Sequence, residues 1–95
     1  MKKTRKNSFI DIKSAKILVT GGSGSAGRYI IKNLLAKGAT NIVSLSRDEN
    51  LIKEAETSIH SPYVRFQLGD VTDVQKVSLA MRGVDIVFHT AAIKH

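Results

Sequence analysis

The sequence predicts an α/β domain with a parallel sheet and helices on both faces, and three observations carry that prediction. Short apolar, β-branched runs alternate with amphipathic helical patterns along most of the chain. The first run, Ile17-Leu18-Val19, feeds straight into a glycine-rich turn and then a helix. All the connections are short, so right-handed crossovers place the strands in spatial order 3-2-1-4.

Each element has its own justification. After the glycine turn, Ser25 to Lys37 carries Ile30, Ile31, Leu34 and Leu35 on one helical face and Arg28, Lys32 and Lys37 on the wet side. Gly38 stands where a helix end favours glycine. Asn41 to Ser46 forms the second strand, and Asp48 to Ile59 a second helix with Leu51, Ile52, Ala55 and Ile59 inward. Ser61-Pro62 breaks the chain. Tyr63 to Leu68 alternates Val64, Phe66 and Leu68 with polar residues as a third strand, and Gly69-Asp70 turns it. Asp73 caps a third helix that runs to Met81 and ends at Arg82-Gly83. Val84 to His89 is the fourth strand, with His89 expected in the core. No further helix or strand follows to cover its open side, so the chain is expected to be the front part of a longer protein.

At 95 residues there is room for one small domain, expected over residues 16–95 behind a leader at 1–15. With 42% apolar and 24% charged residues the composition is that of an ordinary globular chain. No apolar run is long enough for a membrane span, and no apolar stretch follows the basic start as a signal peptide requires. Cysteine is absent, which excludes disulfides and fits a cytoplasmic location. The formal charge of +7 is lopsided: the first 16 residues hold six cations against Asp11, the remainder nine against seven carboxylates. The excess therefore belongs to the leader, read as a solvated tail, with Phe9-Ile10-Asp11-Ile12 as an apolar clip on the domain edge. No aromatic residues interleave with these charges, so a nucleic-acid platform is not expected.

The glycine turn carries the chemistry. Glycines at 21, 24 and 27 give the spacing G-x-x-G-x-x-G. Gly21 allows a sharp turn off the strand, Gly24 leaves room for a pyrophosphate beside the backbone, and Gly27 lets the helix pack closely on the sheet. The helix then aims free N–H groups and a partial positive charge at the phosphates. A nucleoside-triphosphatase loop is excluded, because Gly27 is followed by Arg28-Tyr29 and not by Lys-Ser/Thr. Cofactor choice is read at the end of the second strand. There Arg47 and Ser46 suit the 2′-phosphate of NADP, while Asp48 stands a little late for the ribose of NAD, which is the second choice. Arg47 is otherwise a solvated helix-start residue. Asp70-Val71 would reach the adenine, unless Asp70 only caps a turn. Thr90 and Ala91 lie where small side chains admit the nicotinamide ribose, or simply pack closely. His60, His89 and His95 have no partners at ligand spacing, so no metal site is expected.

On these residues the chain resembles the extended short-chain dehydrogenase/reductase family, of Rossmann type. Thr20-Gly21-Gly22-Ser23-Gly24-Ser25-Ala26-Gly27 matches its TGxxGxxG loop. Ser46-Arg47-Asp48-Glu49, Gly69-Asp70-Val71-Thr72-Asp73 and the ending Ala91-Ala92-Ile93-Lys94-His95 look like the polysaccharide-biosynthesis branch, and within it most like the inverting UDP-N-acetylglucosamine 4,6-dehydratases. That resemblance implies a bound NADP that takes hydride from C4 of the sugar, loss of water across C5–C6, and return of hydride to C6. It implies pyrophosphate contacts from Ser23 to Ala26, the adenosine phosphate end at Ser46 to Asp48, adenine at Asp70-Val71 and the nicotinamide side at Thr90. Lys94 corresponds to a lysine at the UDP-sugar substrate, although as a terminal lysine it has a bland alternative. A homo-oligomer is implied for the full-length protein. Related UDP-sugar 4-epimerases often carry Gln where His95 stands. The family's Tyr-x-x-x-Lys pair is missing, since Tyr29 and Tyr63 are followed four residues later by Asn33 and Gln67. Alone, the chain is expected to bind cofactor weakly and catalyse nothing; a non-catalytic dinucleotide-binding module is the reading from another class.

Overall fold

The computed structural model describes residues 11–90, and the elements run β1 (Ile17–Thr20), α1 (Ser25–Ala36), β2 (Ile42–Ser46), α2 (Glu49–Ser58), β3 (Val64–Leu68), α3 (Val74–Ala80) and β4 (Ile86–His89). The strands pair in parallel in the order β3-β2-β1-β4. This is the expected Rossmann-type sheet. Its register places Thr20 beside both Leu45 and His89, so the carboxyl ends of three strands finish level.

The two central strands are buried along their whole length, which is why they read as continuous apolar runs. Ile17, Val19 and Ile42 face Ile31 and Leu34 of α1 and Ile59 beyond α2. Leu18, Val43 and Leu45 point the other way, against Ala80 and Val77 of α3. Ile12 packs on the first of these clusters, whereas Phe9 and Ile10 of the expected clip lie outside the described residues. Both outer strands are less covered. Val64 is buried and Phe66 half-buried, but Leu68 is 48% exposed, because the apolar alternation of β3 outruns what packs against it.

His89 departs from the expected core position. It is exposed, since β4 lies at the edge of the described sheet, and its Nδ1 is in hydrogen-bond contact with the Thr20 hydroxyl. The lower end of β4 is fastened differently. Asp85 Oδ2 accepts from the Lys16 amide at 2.9 Å, and the Lys16 ammonium donates to the Arg82 carbonyl at 2.7 Å, at the close of α3.

The glycine that seats the turn on the sheet is Gly22, not Gly27. A Cβ on Gly22 would overlap the Ser44 hydroxyl and come within 2.9 Å of Ser44 Cβ and 3.1 Å of Ile31 Cδ1. A Cβ on Gly27 would instead strike the backbone of Gly21 and Gly22, so Gly27 lets the helix fold back on its own turn. Gly22→Ala is therefore expected to destabilise the chain by about 1–3 kcal/mol, as overpacking of a dense core does. Urea denaturation would measure this, and the loss should be smaller when Ser44→Gly is introduced alongside than the two single losses predict.

Candidate functional site

The site grows out of the end of β1. Gly21 adopts φ 74°, a left-handed conformation that only glycine takes freely, and turns the chain at once. Two bonds tie this turn to β2. The Gly21 amide donates to the Leu45 carbonyl at 2.7 Å, and the Ser23 amide donates to the Ser46 hydroxyl at 3.1 Å.

α1 then starts with Gly24 as its cap, with no side chain bonded to its first amides and no acidic residue in its first turn. The amides of Ser25, Ala26 and Gly27 have no partner among the described residues. The other two helices start in the opposite way. Asp48 accepts from the Asn50 and Leu51 amides at 2.9 and 3.2 Å, and Asp73 from the Lys76 amide at 3.2 Å.

The open end of α1 forms one wall of a cleft of about 580 Å³ across the carboxyl ends of the strands. Gly21, Ser23, Gly24, Ser25, Ala26 and Gly27 make that wall. Ser46, Arg47 and Asp48 make the next, Asp70 and Val71 the far side, and Thr90 the end nearest β4. Most of the expected site residues thus meet in one place. Thr20 and Gly22 do not line it. Thr20 is buried; its carbonyl accepts from the Thr90 amide at 2.9 Å and from the Thr90 hydroxyl, so it holds Thr90 at the cleft. Gly22 lies under the turn, against Ser44. Ala91, Lys94 and His95 lie outside the described residues.

Within the cleft, several side chains are already engaged. The Ser46 hydroxyl accepts from the loop, and Asp48 Oδ1 serves its own helix. Arg47 is exposed, with Nη1 3.9 Å from Asp70 Oδ2. Asp70 Oδ1 accepts from the Thr72 amide at 3.0 Å. Hydrogen bonding from Thr72, amide first, holds the Asp70 carboxyl below the usual carboxylate range, and the nearby Arg47 guanidinium adds a smaller push the same way.

Two features point to a ligand. Ser23 is 1% exposed, lies on the cleft wall, and its hydroxyl has no hydrogen-bond partner among the described residues. Such a group costs about 1–3 kcal/mol if left unsatisfied. Gly24 has ordinary extended backbone, and a Cβ there would meet only the Gly21 carbonyl at 3.6 Å, so the fold itself tolerates a side chain. The room over Gly24 is room in the cleft.

Leu45, Leu51, Gly69 and Thr72 also line the cleft and were not anticipated. Thr72 follows Asp70 at the two-residue offset of a side-chain-to-amide turn, a signal present in the sequence. Gly69 is tight because a Cβ would come within 2.9 Å of Leu45 Cδ1, which no local pattern announces. Among the described residues, no cluster of His, Asp or Glu could hold a metal ion, and no helix is long and apolar enough to cross a membrane.

The depressed Asp70 midpoint sets a pH dependence with a definite sign. Any stability Asp70 contributes is complete at neutral pH and is lost as pH falls through the ordinary carboxylate range toward its lower folded-state value. The difference in urea midpoint between the native chain and Asp70→Asn should therefore shrink on acidification. The Asp70 carboxyl carbon should titrate below an ordinary aspartate by NMR.

This arrangement has relatives. The chain is 45% identical over 80 residues to the UDP-N-acetylglucosamine 4,6-dehydratase (inverting) of Campylobacter jejuni, covering 83% of this chain and 24% of that protein. It is 38% identical over 82 residues to the UDP-glucose 4-epimerase of Rickettsia bellii, covering 82% and 24%. Among solved structures, Pen from Bacillus thuringiensis superposes with a TM-score of 0.83 at 30% identity, over 90% of this chain and 27% of that one. The Bordetella bronchiseptica enzyme WbmF in complex with NADH gives a TM-score of 0.68 at 26% identity, over 86% and 24%. The chain therefore spans about a quarter of the length of these relatives. Residues 17–95, from the first strand onward, match the family described as polysaccharide biosynthesis protein, and the chain belongs to that family.

Proposed function

We propose that the chain is the NADP-binding portion of a nucleotide-sugar 4,6-dehydratase acting on UDP-N-acetylglucosamine, in the making of surface polysaccharide or glycan sugars. The observation that carries a dinucleotide is the uncapped amino end of α1, facing a cleft in which the buried Ser23 hydroxyl has no partner among the described residues. A pyrophosphate would accept from the amides of Ser25, Ala26 and Gly27 and from Ser23, with Gly24 giving it access. When bound, the nicotinamide supplies a reversible hydride acceptor; Thr90 stands at that end of the cleft. The NADH complex of the related WbmF supports a nicotinamide dinucleotide here.

The choice of NADP rests on Arg47. Its guanidinium is exposed at the cleft, while the Asp48 carboxylate that would favour NAD is bonded to the amides of α2. Asp70, ionised at neutral pH, would accept from the adenine amine, and Val71 would lie against the ring; both line the cleft. The dehydratase reading draws on the 45% identity to the Campylobacter enzyme; a UDP-sugar 4-epimerase is the second reading, favoured by the Rickettsia relative. Both would share this cofactor half. The substrate-side contact at Lys94, the homo-oligomer and a cytoplasmic location belong to the same proposal.

Calorimetric titration with NADP and NAD, backed by amide NMR shifts for weak binding, tests the site. NADP should bind more tightly than NAD, and Arg47→Ala should weaken NADP by about tenfold or more, the loss of one charge-assisted contact, while leaving NAD nearly unchanged. Gly24→Val should abolish binding of both. Gly24→Ala should keep stability within about 1 kcal/mol and still weaken both. Full affinity in both Gly24 variants would leave the turn a structural element only.

A further inference from the structure

We infer that Asp70 is the counter-ion from which Arg47 must be drawn to bind a 2′-phosphate, which makes Asp70 the residue that sets how far NADP is preferred over NAD. This rests on the dinucleotide reading above. Among the described residues, three charged side chains line the cleft: Arg47, Asp48 and Asp70. Asp48 is engaged with the amides of α2, so among these three Arg47 is left facing Asp70.

The two oxygens of Asp70 do different jobs. Oδ1 is fixed by the Thr72 amide at 3.0 Å, and Oδ2 faces Arg47 Nη1 at 3.9 Å. The carboxylate is thus held, and Arg47, with a side chain 70% exposed, is the partner free to move. An exposed pair this long is weak. A phosphate offers the planar guanidinium two oxygens and a higher charge, so it takes Arg47 over. A ribose hydroxyl offers neither, so with NAD the Arg47–Asp70 pair persists. Binding NADP therefore strips Asp70 of its counter-ion and leaves it near a second anion. NAD carries no such penalty, and Asp70 narrows a preference that Arg47 creates.

The test is a titration of the chain and its Asp70→Asn, Arg47→Ala and doubly substituted variants with each dinucleotide. Asparagine keeps the oxygen that accepts from Thr72, and the amide spectrum checks the fold. Asp70→Asn should raise the NADP-to-NAD affinity ratio by about fivefold, the equilibrium equivalent of an exposed ion pair at the top of its range. In the Arg47→Ala background the rise should be clearly smaller. The Arg47 side-chain NMR signal should move on adding NADP and stay near its free position with NAD. An unchanged or lowered ratio in Asp70→Asn, with both dinucleotides still binding, overturns the exchange and leaves the cofactor site standing. Equal movement of Arg47 with both ligands does the same. Failure of the native chain to bind either dinucleotide removes the site and the exchange together.

Discussion

The turn from β1 into α1 must fit between the sheet below it and the helix it starts, and at two positions there is no space for even a methyl group. Gly22 lies on Ser44 of β2, and Gly27 lies on the backbone of Gly21 and Gly22. That double contact fixes where α1 begins and how steeply it leaves the sheet. The bonds from Gly21 to Leu45 and from Ser23 to Ser46 then lock the turn to the neighbouring strand. Because the turn cannot shift sideways, the first amides of α1 are presented at the cleft in one orientation. Such fixed dipoles favour an anion without any rearrangement on binding.

The starts of the helices divide the labour. α2 and α3 have an aspartate on their first amides, which satisfies them and stabilises each helix locally. α1 forgoes that help where its first turn faces the cleft. It is carried by tertiary packing instead, through Ile31 and Leu34 in the first core cluster. Local stability has been given up where the cleft needs open donors, and nowhere else among the described helices.

Most of the fold was legible because each strand and helix has its own period and its own stop. Gly38 and Gly83 both take positive φ at the ends where they were expected, and Asp73 caps α3. The misses in the fold share a cause, namely contacts between residues far apart in the chain. The G-x-x-G-x-x-G spacing directs attention to Gly27 as the packing residue, but the clash that matters at the sheet is Gly22 against Ser44, two elements away. Likewise nothing near Ser46 tells that its hydroxyl receives the Ser23 amide. His89 sits in an apolar run that reads as core, yet its exposure depends on which strand flanks it. The site itself is legible as far as it follows the ends of strands, whereas Thr72 enters it only through the local turn in which its amide bonds the Asp70 carboxylate.

Among the described residues, the contacts that join β4 to β1 span the longest stretches of chain. Lys16 meets Asp85 across 69 residues and Thr90 meets Thr20 across 70, whereas the turn reaches Ser46 across only 23. Closing the larger loop removes more chain entropy before any contact offsets it. During folding, the half of the cleft formed by the turn and β2 can therefore assemble early, and the Thr90 end arrives last. A nascent chain would hold the wall built by the turn and β2 before it holds the wall built by Thr90.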